Sequence, residues 1–477
     1  MLKIYYNLFQ ELRSEKISFC NWKGHYNLQS YLEGIGDLDL FVLNDHRLRF
    51  EEILKKNNFI NVSSFQASHD SIEHFIGLDN HSGKLVHLHV YFELVTGESF
   101  TKNYKLPLEN FILKNIVYDG ELAIVNKEAA LVIFLVRYFI KIGSLYGLFQ
   151  FYRDQEKYLN ELKYLGAVDV KNDIKELNIS LEYLKSLHQT LVNKSFIAHF
   201  FASISFKRKI RNYKKRSFLR YYIYVVNNIF DRVLNRLILK RKKQLIEGIV
   251  IGVCGLDGTG KSSLVSSLEK VFSNHISTKK LHLGRPQSSI LTLPFNFILL
   301  TYKKIRSSLI KKETFLGQKN LSKKQSLAFL MRSLVLGFDR LRQAKTAQNY
   351  QRKGYIVICD RYPGTLTGKM DSPRITENPK EDFIHKIFRK LETTMYEKIP
   401  PAGIIFYLKA PVEVAVERNN KRDKVDKESE EEIRHRYLIN SEAVFKTIDS
   451  KNVDATNTIK DVFLDVQSSI WSKIKDS

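Results

Sequence analysis

Cysteine is scarce in this 477-residue chain, with Cys20, Cys254 and Cys359 the full complement. Three thiols cannot make a disulfide framework, and no Cys/His group has zinc-site spacing, so a stapled secreted domain and a structural zinc site are both excluded. Cys254 and Cys359 each close an apolar run and read as small buried residues. Long apolar stretches are missing too. Residues 129–140 and 290–301 come nearest, far short of the roughly 20 a membrane span requires, and read as core helices or an interfacial segment. Glu11, Arg13, Glu15 and Lys16 break any apolar core of a signal peptide, so none is expected. A reducing cytoplasm is the expected compartment, with a peripheral place on the membrane left open.

Acid is in short supply. Lys and Arg number 76 against 51 Asp and Glu, a formal net charge of +25. Residues 207–243 hold fourteen Lys or Arg and one acid, Asp231, for +13 in a single segment. Such a run suits a polyanion or an anionic membrane surface, or is a solvated helix face. Glycine and proline are absent between positions 167 and 246, which predicts continuous helices with short polar joints.

What is present divides the chain in three. Residues 1–115 alternate strands (37–43, 84–94) with a helix (47–56). Residues 116–245 are expected to be almost wholly helical, with apolar 129–143 and mixed-charge 152–164 and 173–191. Residues 246–477 return to alternation, with strand-like 249–254, 278–283, 355–359 and 403–408 between helices. Strands alternating with helices predict a parallel doubly wound α/β sheet there.

The strongest motif is Gly255-Leu-Asp-Gly-Thr-Gly-Lys261-Ser262, placed between an apolar strand and a helical pattern. It fits G-x-x-x-x-G-K-[ST]. Glycine lets backbone N–H groups converge on phosphate oxygens, and the helix N-terminus adds positive potential. Gly255, Gly258, Thr259, Gly260, Lys261, Ser262 and Ser263 are therefore the expected nucleotide-binding residues. Lys261 is expected on the β- and γ-phosphates of ATP, and the Ser262 hydroxyl on Mg²⁺. A second apolar run ends in Cys359-Asp360-Arg361-Tyr362, which puts a carboxylate at the carboxyl edge of the sheet, where nucleotide and Mg²⁺ collect. Arg361 can fork onto a second phosphate. Arg418 and Arg422, four apart, share a helical face and can neutralise a transferring phosphoryl group.

In order and spacing these three elements resemble the thymidylate kinase family over about 230 residues, from Ile246 to the end. The resemblance implies that Asp257 and Arg361 face the acceptor phosphate, Asp360 helps place Mg²⁺, and Arg418 with Arg422 closes over the transfer site. Arg285-Pro286 stands where the family carries Arg-Glu-Pro, without the intervening carboxylate, and residues 288–325 look inserted. Phosphoryl transfer from ATP carries over better than thymidylate as acceptor.

In the amino-terminal region, Asp37 and Asp39 lie at i and i+2, on one face of a strand. Close carboxylates of this kind suit a divalent cation. With the upstream Asn21-Trp22-Lys23-Gly24 turn they resemble the nucleotidyltransferase superfamily, which implies an α+β domain and a third acid on a later strand. The matching stretch, Leu85-Val-His87-Leu-His89-Val-Tyr91-Phe-Glu93, carries histidine in the place where the resemblance implies an acid. Glu93 could substitute, or His87 could be a ligand.

The leading expectation is an ATP- and Mg²⁺-dependent kinase acting on a nucleoside monophosphate. The alternatives are a kinase or nucleotidyltransferase acting on a sugar or surface glycan precursor, and a non-enzymatic nucleotide-gated switch on a membrane or polyanion. Through 207–243 an anionic membrane ranks above nucleic acid as partner, packing within its own domain ranks above both, and a homodimer stays open.

Overall fold

The computed structural model describes residues 1–64, 71–97, 101–143, 156–166, 170–171, 173–193, 195–295, 325–378, 381–420, 429–439 and 444–476. The chain forms two compact units, Met1–Ile246 and Glu247–Ser477.

The first unit is built on a mixed eight-stranded sheet. Its strands are β1 (Phe19–Asn21), β2 (Asp37–Val42), β3 (Phe59–Ser63), β4 (Ile72–Asp79), β5 (Lys84–Tyr91), β8 (Ile116–Asp119), β9 (Leu122–Val125) and β10 (Gln244–Leu245), while β6 (Val95–Thr96) and β7 (Tyr104–Lys105) form a separate pair. Helices α1 (Lys3–Ser14) and α2 (Arg47–Lys56) accompany the strands. Parallel pairing of β2 with β5 sets Asp37 beside His87 and Asp39 beside His89, and antiparallel β4 adds His74 beside His89. Strand pairing therefore assembles the polar centre of this unit.

The segment after residue 115 is less uniformly helical than its composition suggests. Strands β8 and β9 open it as a hairpin on the sheet edge. Helix α3 (Lys127–Ile142) follows, capped by the Asn126 side chain, which accepts from Ala129 N at 2.9 Å. It is apolar nearly all round because it is buried nearly all round. The expected helix over 173–191 begins at α4 (Leu181–Val192), with Ser180 as its cap. Ahead of it Asn178 turns left-handed at φ 52° and Ile174 bridges Ile179. Helices α5 (Phe196–Lys209) and α6 (Phe218–Leu234) complete the unit. One hydrophobic core runs from Ile4 to Ile210.

The second unit holds a five-stranded sheet in the order β12-β13-β11-β14-β15. The strands are β11 (Ile249–Gly255), β12 (Thr278–His282), β13 (Ile356–Asp360), β14 (Ile404–Lys409) and β15 (Ser450–Asp454), and every pairing is parallel. Its helices are α7 (Lys261–Phe272), α8 (Leu327–Gln351), α9 (Phe383–Glu397), α10 (Val412–Asn420), α11 (Glu430–Ile439) and α12 (Ile459–Asp476). The chain leaves β11 for β12 and β13 on one side and later returns to β14 and β15 on the other. The crevice at the carboxyl end of β11 is thus a topological switch point. Most of the 288–325 segment lies outside the described residues. All three cysteines are buried and free, and among the described residues no helix is long and apolar enough to cross a membrane.

Candidate functional site

The carboxyl edge of the parallel sheet gathers the chemistry of the second unit. Strand β11 ends at Gly255, whose φ of 143° and whose approach to the Leu408 carbonyl (2.6 Å from where a Cβ would stand) admit no side chain. Gly260, at φ 87°, hands the chain into α7, and nothing lies within 4 Å of the place its Cβ would take. That space, next to a helix N-terminus, is what a phosphate group requires. Thr259 ties the loop together by donating through Oγ1 to the Leu256 carbonyl at 2.8 Å. Lys261 Nζ donates to the same carbonyl at 2.5 Å and stands 3.9 Å from Asp257. Burial, aided by Arg361, lowers the Lys261 ammonium to about 8, against the pull of Asp257 and Asp360.

Asp360 closes the neighbouring strand β13, and its carboxylate accepts from Ser262 Oγ at 3.3 Å. Ser262 and Asp360 thus offer a hydroxyl and a carboxylate side by side, a donor pair that fits Mg²⁺. Ser263, one position on, is exposed.

Arg361 turns left-handed at φ 66°, a conformation non-glycine residues rarely adopt and one that marks functional sites. Its guanidinium donates to Asp257 at 2.6 Å and to Asp371 at 3.1 Å. Burial alone would push the Asp257 carboxyl up, yet Arg361, Lys261 and Arg436 outweigh it and hold it below the usual carboxylate range. Behind Asp371 sits Arg340, fully buried. It donates to Asp371 and to the Tyr396 hydroxyl at 2.7 Å each, to the Gly284 carbonyl at 3.0 Å and to the Leu283 carbonyl at 3.1 Å. A cleft beside the loop is walled by Arg361, Tyr362, Lys369, Met370, Asp371 and Phe445, with Cys254 and Gly255 of β11 also lining it.

Gly255, Asp257, Gly258, Thr259, Gly260, Lys261, Ser262, Asp360 and Arg361 meet at one sheet edge. Arg418 lies against the loop from α10, donating to the Gly258 carbonyl at 3.4 Å and the Ala455 carbonyl at 2.9 Å. Arg422 lies outside the described residues. The cation that reaches Asp257 from the carboxy-terminal helices is Arg436, at 2.6 Å. Sequence reasoning missed Arg436, Asp371 and Arg340. The available signal for the last was an Asp339-Arg340 step on the apolar-rich stretch 327–351, where a charged residue must find partners if its face is buried.

In the first unit, His87 Nδ1 lies 2.5 Å from Asp37, and Lys23 Nζ and His89 Nδ1 lie 2.8 and 3.1 Å from Asp39. Burial would raise both carboxyls, but these neighbours hold them far below their ordinary range. His74 stacks on His89 with ring centroids 4.5 Å apart. Lys102, Arg137 and Lys141 crowd the same centre, and burial with mutual repulsion lowers Lys141 to about 7. Glu93 falls beyond the end of β5 and bonds Ser71 at 2.5 Å and Lys105 at 2.6 Å. Among the described residues no group of three or more His, Cys, Asp or Glu is placed to hold a metal ion. Ion-pair partners surround Asp37 and Asp39, with histidine where a third acid was expected.

No family model matches the chain, and no curated protein matches it. Among solved structures it is similar to a thymidylate kinase from Candida albicans, at 17% identity and TM-score 0.28 over 48% of this chain and 94% of that one. It is also similar to a gluconokinase from Sinorhizobium meliloti 1021, at 10% identity and TM-score 0.25 over 48% and 97%. Likenesses at this level carry no argument about activity.

Proposed function

We propose that the second unit is an ATP-dependent kinase that transfers the γ-phosphoryl group to a phosphate-bearing acceptor, with a nucleoside monophosphate as the leading class. The observation that carries this reading is the convergence of the phosphate loop, the Ser262–Asp360 pair and the Asp257–Arg361–Asp371 chain at one sheet edge. When bound, ATP supplies the phosphoryl group and Mg²⁺ offsets charge on its β- and γ-oxygens. Ser262 and Asp360 would hold the metal, and the amides of the Gly258–Ser263 stretch with Lys261 would hold the phosphates.

Arg361, clamped at two nitrogens by two carboxylates, cannot swing freely. It is therefore preorganised toward the cleft, and preorganised charge costs no reorganisation when the phosphoryl group moves. Asp257, held ionised by three cations, fixes that orientation. Arg418 with Arg422 would neutralise charge on the transferring phosphoryl group. Thymidine selectivity is not proposed, since the Arg285-Pro286 element lacks its carboxylate.

The test is a γ-labelled ATP screen over nucleoside monophosphates, phosphosugars and glycan fragments. Label is expected on a nucleoside monophosphate with wild type and on nothing with Lys261→Ala. Undiminished transfer by Lys261→Ala would overturn the kinase assignment. Transfer to phosphosugars alone would move the acceptor to the sugar class.

A further inference from the structure

Helix α6 turns an apolar arc outward, and the side chain it buries is polar. At about 100° per residue, Phe218, Tyr222, Val226, Leu219, Phe230 and Ile223 fall in that order along a continuous arc of about 140°. All six are exposed, Phe218 at 78%, Leu219 at 71% and Phe230 at 65%. The residue the helix buries is Asn228, 5% exposed, whose amide donates to the Tyr224 carbonyl at 2.8 Å. The stripe continues into exposed Leu237 and Ile238. Folded domains rarely leave a contiguous apolar stripe of this kind facing water unless something covers it.

Charge narrows the choice of what covers it. Exposed Arg211, Lys214 and Lys215 precede the helix and exposed Arg236, Lys240 and Lys242 follow it, inside a segment of fourteen Lys or Arg and one acid. A second copy of the chain would bring the same positive segment against this one, and the two would repel. Nucleic acid would satisfy the cations, yet its phosphates offer nothing to Leu219, Ile223 and Val226. A bilayer with anionic lipid answers both halves of the surface, acyl chains for the arc and headgroups for the cations at either end. The aromatic pair Phe218 and Tyr222, with ring centroids 4.7 Å apart, stands at one end of the stripe, a side-chain type suited to the headgroup boundary.

We propose that α6 lies in the plane of an anionic membrane surface, its aliphatic arc in the acyl boundary and its flanking cations on lipid headgroups. The helix would rest on the bilayer without crossing it. This docking is independent of whether the second unit transfers phosphate.

The test uses the full chain and vesicles of phosphatidylcholine with or without phosphatidylserine. Wild type should sediment with the serine-containing vesicles at low salt and remain in solution with phosphatidylcholine alone. The Ile223→Glu/Val226→Glu variant changes exposed side chains and should keep its thermal transition while binding at least about ten-fold more weakly. Arg236→Ser/Lys240→Ser/Lys242→Ser should bind more weakly and lose part of its salt dependence. Phe230→Trp should gain a blue-shifted, iodide-protected emission on vesicles, against the constant signal of buried Trp22 and Trp471. Four results would each overturn the proposal: no sedimentation with phosphatidylserine vesicles at low salt, undiminished binding by the double-glutamate variant, a dimer dispersed by that variant, or tighter binding to an oligonucleotide than to vesicles.

Discussion

Arg361 and Asp257, 104 positions apart in sequence, meet at 2.6 Å. The same guanidinium reaches Asp371 at 3.1 Å, joining the glycine-rich loop to the wall of the neighbouring cleft. Arg361→Lys keeps the charge and loses the fork, so it should not behave as a conservative change. Phosphoryl transfer should fall about 100-fold, with acceptor KM rising and ATP affinity nearly unchanged. Asp257→Asn should act through the same guanidinium, and the double variant should cost little more than either alone. Additive losses in that cycle would separate the two residues.

Lys261 gives a pH signature. Its ammonium sits at about 8 rather than 10.5. Between those values the folded protein carries fewer protons than the unfolded chain, so this group's contribution to stability rises as pH rises through the window. Triphosphate favours the charged amine and draws a proton back. ATP binding near pH 8.5 should therefore take up a proton, and affinity should weaken as pH climbs above about 8. Calorimetry in two buffers of different ionisation heat reads the proton directly, and equal heats would remove Lys261 from the phosphate.

Ser262→Ala and Asp360→Asn each delete one half of the 3.3 Å pair. Each should raise the Mg²⁺ concentration for half-maximal activity about ten-fold or more. Metal titration at saturating ATP checks this, and an unchanged midpoint would place the metal elsewhere.

Arg340 is fully buried with four oxygen partners. Arg340→Met leaves Asp371 without one of its two guanidinium partners and strands buried acceptors, so the second unit should lose about 3 kcal/mol. The milder Arg340→Lys should stay folded and still raise acceptor KM, because Asp371 no longer holds Arg361. A KM equal to wild type in a folded Arg340→Lys would limit Arg340 to a structural role.

Lys23 and Asp39 form a mostly buried pair at 2.8 Å. Asp39→Asn leaves an uncompensated ammonium, at about 3 kcal/mol, and Lys23→Met/Asp39→Asn should recover most of the loss in thermal melts. Asp39 is depressed by its partners. Its contribution is thus complete above the ordinary aspartate range of about 4 and lost only as pH falls toward the folded value. A melting temperature in the single variant equal to wild type at neutral pH would mean the pair stabilises nothing.

Elements with a local cause were legible in the chain. The expected strand at 249–254 is β11, and the helix over 47–56 is α2 (Arg47–Lys56). Strand 37–43 is β2, one residue shorter at its end. Alternation and glycine spacing act between neighbours, so they are visible in one dimension. The hairpin β8–β9 departs from the helical expectation for 116–245 although its signal is local: Asp119-Gly120 stands between two apolar runs, with Gly120 at φ 58° in the turn. The 173–180 stretch was read as helix because its charges fit either state, and Ser180 capping with a left-handed Asn178 decided it.

By itself the sequence determined the glycine-rich loop Gly255–Ser262, the carboxylate ending β13 and the concentration of positive charge in 207–243, because each is a property of adjacent residues. The tertiary structure alone decided that Arg340, Asp371, Arg361, Asp257 and Arg436 form one chain of contacts, since four separate segments must fold before their side chains meet. It also decided that the apolar arc of α6 faces outward. An amphipathic pattern states that a helix has two faces, and packing chooses which of them meets water.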